Sequence, residues 1–179
     1  MKTKINKQAK ASAKALKKEG WKPFPGAAPL ENQINERLHL STLMDGILPK
    51  YLFGEGTGVS NLRQIATKSA EVSSRAAIAA SIKAEFDEVI DQSLNGQQRN
   101  AEENAMLNLV AENTTYVSQV LRYVRPIVQM YRELADGKIE VNVIMYTETA
   151  QAKNALFEKM ESQNAALREK LDQRIADKK

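Results

Sequence analysis

Residues 50–63 read KYLFGEGTGVSNLR, and this stretch limits the possible folds more than any other. The aromatic, strand-like run Tyr51-Leu52-Phe53 meets three glycines in alternation, Gly54, Gly56 and Gly58, and a helix-like pattern follows at once. Strand, glycine-rich turn and helix is the order in which many chains hold a phosphate on backbone amides. The flanking residues argue against that use. A dinucleotide fingerprint needs a third glycine where Val59 stands, and an acidic residue closing a second strand at a distance that here falls inside a helix. A P-loop needs Gly-Lys-Ser/Thr; GEGTGVS has no lysine, and Glu55 would repel phosphate. The reading left is a backbone one, in which glycine bulges and twists a strand before a tight turn into a helix.

That helix is expected over residues 60–94, with Ser60 as N-cap. Ile65, Val72, Ala79 and Phe86 recur every seven residues, with Ala76, Ile82 and Val89 between them. Its middle, AEVSSRAAIAASIKAEF, is rich in small residues, which let a helix lie close on a flat surface such as a sheet. A second helix, about 98–120, carries Met106, Leu109, Val110, Asn113 and Val117 and completes a helical hairpin. The period then changes. RPIVQMYREL and KIEVNVIMYTE flank Asp136-Gly137, a β-hairpin signal. Ile139, Val141, Val143 and Met145 share one face and Lys138, Glu140 and Asn142 the other, a half-buried antiparallel strand whose polar face is broken by Ile144 and Tyr146. A last helix from Thr149 is marked by Ala152, Leu156, Met160, Leu167 and Leu171, and its charged end is expected to extend beyond the core.

Charge separates the amino terminus from the rest. Residues 1–24 hold eight lysines against Glu19 alone, a net +7, which leaves the remainder of a +4 chain at −3. Residues 4–19 read as a helix whose thin apolar stripe is Ile5, Ala9, Ala13 and Leu16; Gly20 stops it. GWKPFPGAAPL must be extended or turning, because it carries Pro23, Pro25 and Pro29. Trp21 and Phe24 either pack on the domain or anchor a partner. Leu30, Ile34, Leu38 and then Leu40 or Met44 mark another helix. The organisation expected is a basic helical arm and proline-rich linker over 1–29, a single domain over 30–160, and a charged helical extension over 161–179. The fold class is α+β: about three antiparallel strands, covered on one face by a helical hairpin and the last helix.

Composition narrows the chemistry. There is no cysteine among 179 residues, which excludes disulfides, thiolate nucleophiles and a lipidated cysteine from this sequence. No apolar run suits a membrane helix, and MKTKINKQAKASAK lacks the apolar region of a signal peptide, so the chain is expected to be cytoplasmic or a trimmed mature form. His39 is the only histidine and has no acidic residue at ligand spacing, which makes it a surface or satisfied side chain. The pairs Glu102-Glu103 and Glu85/Glu88 read as solvated faces without apolar surroundings to shift them. No catalytic group and no cofactor is expected.

Taken together, LKKEGWKPFPGAAPLENQI, KYLFGEGTG, AAIAASIKAEF and the VRPIVQMYREL-ADGKIEVNVIMY hairpin resemble the LPP-twenty family of bacterial envelope lipoproteins, in its Bacteroidota form, over roughly residues 14–160. The resemblance implies a small antiparallel sheet packed by helices, a place in the cell envelope and no established catalysis. Members are often tethered to the outer membrane by a lipidated cysteine. Without one, this chain is expected to be a soluble periplasmic protein or a subunit of a larger outer-membrane assembly, contacting other envelope proteins and forming homo-oligomers as an option. The residues expected to touch partners are Lys10, Lys14, Lys17, Lys18, Trp21 and Phe24. The alternative is a cytoplasmic binder of nucleic acid or anionic surfaces through the lysine arm, weakened by the lack of interleaved arginine or aromatic residues.

Overall fold

The computed structural model describes residues 6–94 and 96–177. In chain order the elements are α1 (Lys7–Lys18), β1 (Lys22–Pro23), α2 (Leu30–Ser41), β2 (Met44–Asp45), β3 (Leu48–Pro49), β4 (Tyr51–Ser60), α3 (Arg63–Ser93), α4 (Ala101–Val120), β5 (Arg125–Glu133), β6 (Ile139–Glu148) and α5 (Thr149–Ala176). The fold is α+β. Four antiparallel strands run in the order β1-β5-β6-β4, and β2 and β3 form a separate small hairpin. The strand beyond the expected three is β1, two residues of the proline linker paired with Tyr131 and Met130 of β5.

Helices cover both faces of the sheet, where one face was expected. The larger cluster joins Val141, Val143 and Met145 of β6 to α3, α4 and α5 through Ile78, Phe86, Val110, Leu156 and Met160. The opposite face carries Val128, Met130 and Ile144, covered by Leu30 and Ile34 of α2, Trp21, and Ala9 and Ala13 of α1. This second layer explains why Ile144 and Tyr146 break the polar alternation of β6: successive residues of a strand point to opposite faces, and here both are dry. From Asn6 onward the arm is therefore part of the domain; Ile5 of its expected apolar stripe lies outside the described residues. Ala9 and Ala13 are small enough to seat α1 closely on α2, and both are buried.

The glycine strand does not bulge. β4 pairs with β6 without interruption from Tyr51↔Glu148 to Ser60↔Ile139; the only shift in that part of the sheet lies in β5, between Pro126 and Val128. None of Gly54, Gly56 and Gly58 has a positive φ. Their function is steric. A Cβ at Gly58, Gly56 or Gly54 would lie 2.1 Å from the carbonyl oxygen of Ala66, Ala70 or Ser74 respectively. Two strand residues rise about 6.8 Å and four helix residues about 6.0 Å, so alternate residues of β4 stay in step with every fourth residue of an antiparallel α3. The Ser74 hydroxyl closes the contact. It donates to the Gly54 carbonyl at 2.7 Å and accepts from the Met145 amide at 3.2 Å. The inward row is thus Ala66, Ala70, Ser74 and Ile78, while Ile65 and Val72 of the seven-residue repeat face solvent. The helix starts after Leu62 rather than at Ser60.

α5 is not one straight rod. Asn164 has non-helical angles (φ −158°, ψ 85°), and its Oδ1 accepts from the Leu167 amide at 3.2 Å, capping a fresh helical start. Lys153 and Asp172 then meet at 3.5 Å, although 19 helical residues would separate them by about 28 Å. The chain doubles back. Leu171 and Ile175 are buried in the main cluster, which corrects the expectation that residues 161–179 project beyond the core.

Candidate interaction surfaces

Lys10, Lys14, Lys17 and Lys18 all lie on α1 and are exposed. With Lys7 they recur every three or four residues, so they fall within about 100° of the helix circumference. Asn6 caps the helix by accepting from the Gln8 amide, and the Asn6 amide donates to Oδ1 of Asn35 at 2.8 Å. Lys17 is already engaged, 3.0 Å from Glu31 on α2. A hydrogen bond from its own backbone amide, followed by Lys17, holds the Glu31 carboxyl below the ordinary carboxylate range. Lys10, Lys14 and Lys18 have no acidic partner among the described residues within ion-pair distance, so the row presents free positive charge on a rigid base.

Trp21 and Phe24 are not part of that exposed row. Trp21 is 7% exposed in the second cluster, with the Arg132 guanidinium 4.5 Å from its ring centroid. Phe24 is half-buried on the other face of the sheet, edge-on to Tyr131 at 6.0 Å and beneath Arg63. The two side chains straddle β1 and pin the linker to the domain, so Trp21 in particular is occupied by its own fold and corrected as a partner anchor.

A second surface is a cleft of about 570 Å³ between the end of α4, the α4–β5 link and α5. Tyr116, Val120 and Tyr123 line it and are 46%, 42% and 59% exposed. Tyr123 and Gln151 carry it into a smaller hollow of about 240 Å³ edged by Tyr51, Tyr146 and Arg125. Four of the five tyrosines thus meet at one end of the molecule. Sequence reasoning missed this grouping because its residues come from four separate segments and share no spacing.

The carboxylates behave differently from the solvated faces expected. Glu103 is buried at the start of α4. Its side chain accepts from the Asn100 amide at 2.7 Å and meets Arg174 of α5 at 2.8 Å, and these contacts, the first above all, lower its pKa. Asn100 followed by Glu103 is a capping box, a signal readable in the sequence. Glu85 is raised, by burial first and then by the charge of Glu88. His39 is exposed near the end of α2. Among the described residues, no group of three or more His, Asp and Glu lies close enough to hold a metal. The face of the β4 glycines is filled by α3 backbone, which leaves no cradle for a phosphate there.

No family model, curated protein or solved structure matches the chain. Among the described residues, no helix is long and apolar enough to cross a membrane.

Proposed function

We propose that the chain is a non-enzymatic protein of the cell envelope, periplasmic or at the periplasmic face of an outer membrane, that acts by binding other proteins, in keeping with its resemblance to the LPP-twenty family. The observation that carries the binding role is the lysine face of α1. An exposed row of like charge contributes little to folding and raises the encounter rate with an acidic surface. Rigid seating on Ala9 and Ala13 supports this reading, because a pre-organised surface loses less entropy on binding than a loose arm. The packing of helices on a small antiparallel sheet is the architecture the resemblance implies. The test is the triple change Lys10→Glu, Lys14→Glu and Lys18→Glu. Capture of envelope proteins from a periplasmic extract should fall sharply while the melting temperature holds; unchanged capture would remove α1 from the account.

The same row favours a second reading, binding of nucleic acid or an anionic surface in the cytoplasm. Binding of that kind weakens steeply between low and moderate salt. Titration with DNA, RNA and anionic vesicles at low salt separates the two, and absence of binding to all three eliminates the second.

A further inference from the structure

Tyr123 sits where the larger cleft meets the smaller hollow, and it lines both. It belongs to the link between α4 and β5, residues 121–124. That link is anchored. Leu121 is buried in the main cluster, Val124 packs against it, and the Arg75 guanidinium donates to the carbonyls of Ser118 at 3.2 Å and Leu121 at 3.4 Å. The Tyr123 side chain is thus held out on a fixed backbone, with no aromatic ring or cation against it among the described residues. The other tyrosines of this end are committed. Lys159 lies 4.9 Å from the Tyr116 ring centroid, and Tyr146 lies against both Tyr51 and Phe53. The facing wall is α5. Gln151, Asn154, Glu158 and Ser162 recur along it every three or four residues, a polar stripe about 16 Å long. Among the described residues, the side chains of Gln151, Asn154 and Glu158 make no hydrogen bond or ion pair within the protein, whereas Lys153 on the same helix reaches Asp172.

We propose that this cleft binds a neutral oligosaccharide, with the Tyr123 ring under the C–H face of one sugar and Gln151, Asn154 and Glu158 on its hydroxyls. The lining decides the class. A sugar hydroxyl both donates and accepts; side-chain amides answer both roles, and a carboxylate accepts. An exposed phenol offers an apolar face with a polar tip, which suits a ring that is apolar on its face and polar at its edge. Ligand charge of either sign is disfavoured, because an anion would meet Glu148 and Glu158, and a cation Arg122 and Arg125. A peptide fits less well in each of its common modes. The larger cleft is walled by two helices and their link, so an added strand has no sheet edge there to pair with. A partner helix would set its apolar stripe against the polar stripe of α5. A proline-rich backbone offers only carbonyls, to which carboxylates cannot donate. The stripe is longer than one sugar ring, which selects a chain of them, and the cleft volume of about 570 Å³ is that of a small-ligand site. None of the α1 lysines takes part, so this inference is independent of the role assigned to α1.

The experiment is isothermal titration of the full chain with linear oligomers of glucose, α- and β-linked, and of N-acetylglucosamine. Inorganic phosphate and a polyproline peptide are the contrasting probes. The expected result is binding of at least one oligosaccharide, tighter as it lengthens from one ring to several, and no binding of phosphate or polyproline. Tyr123→Ala should weaken the sugar by about tenfold, the loss of one aromatic contact, while Tyr123→Phe, which keeps the ring, binds as the wild type does. Glu158→Ala should also weaken it, and Lys14→Glu should leave it unaltered. Tyr123, Glu158 and Lys14 are exposed, so the variants keep the wild-type melting temperature and the affinities report the cleft. Failure of every oligosaccharide to bind, binding of phosphate or polyproline in their place, or an affinity indifferent to Tyr123→Ala would each overturn the proposal.

Discussion

α1 and α3 both press alanine inward and present opposite surfaces outward. Ala9 and Ala13 seat α1 on α2, and its outer face is a row of lysines. Ala66 and Ala70 seat α3 on the β4 glycines, and the outer face of its first half presents exposed Ile65 and Val72 beside a single lysine, Lys68. Small residues decide how close a helix lies, and the residues turned away decide what approaches it. In α1 the outward charge is redundant for folding. In α3 the inward contact is so close that the fold itself rests on it.

The largest effect should therefore come from Gly56→Ala, which sets a methyl 2.1 Å from one backbone oxygen and 2.3 Å from a backbone nitrogen. Neither backbone atom can rotate away, and overpacking of this kind costs more than about 3 kcal/mol. Urea denaturation of the variant should show lost or much reduced cooperative unfolding; a wild-type midpoint would break the comparison on the α3 side.

Next is Trp21→Ala, which removes the buried anchor holding α1 and the linker to the sheet. A loss of about 3 kcal/mol is expected, with faster proteolysis between α1 and α2. If the arm stays protected, its seating owes more to Ala9 and Ala13 than the packing suggests.

Gly96→Ala is the sharpening control. Gly96 sits at φ +82° with open space around its Cβ position, so its cost is conformational and about 1 kcal/mol. A loss equal to that of Gly56→Ala would erase the distinction between glycine needed for space and glycine needed for its angle.

Part of the acid sensitivity should trace to the α4–α5 contact. Folding depresses the Glu103 pKa, so its stabilisation is present above the ordinary carboxylate range and disappears as pH falls through that range toward the folded value. Glu103→Gln should flatten the fall in urea midpoint between neutral and acidic pH; an unchanged slope would assign the sensitivity elsewhere. The smallest stability effect belongs to Lys10→Glu with Lys14→Glu, within about 0.5 kcal/mol, measured by the same denaturation.

The sequence made the inward half of this comparison readable in part. Small residues in α3 pointed to a helix lying close on a sheet, and Asp136-Gly137 placed the β5–β6 hairpin, where Gly137 has φ +79°. The alternation of Gly54, Gly56 and Gly58 was legible as a strand feature, yet its cause was not, because the atoms that exclude a Cβ belong to residues 8 to 24 positions later. The seven-residue repeat misled for a related reason. Ile65 and Val72 fit an apolar period, but the row next to β4 is chosen for smallness, and hydrophobicity does not report that. The reversal at Asn164 was hidden in a helical composition with no glycine or proline nearby. At the candidate surface, the lysine row was visible in the spacing, whereas the burial of Trp21 depended on a sheet edge two residues long.

The central claim is that the lysine face of α1 meets proteins of the envelope. A photo-activated cross-linker placed at Lys14 in the full chain, expressed in a bacterium with an envelope of the expected type, tests it directly. The account predicts adducts that fractionate with periplasmic or outer-membrane proteins and that diminish when Lys10 and Lys18 are changed to glutamate. Adducts confined to nucleic acid or cytosolic proteins, or adducts indifferent to those two changes, would contradict it.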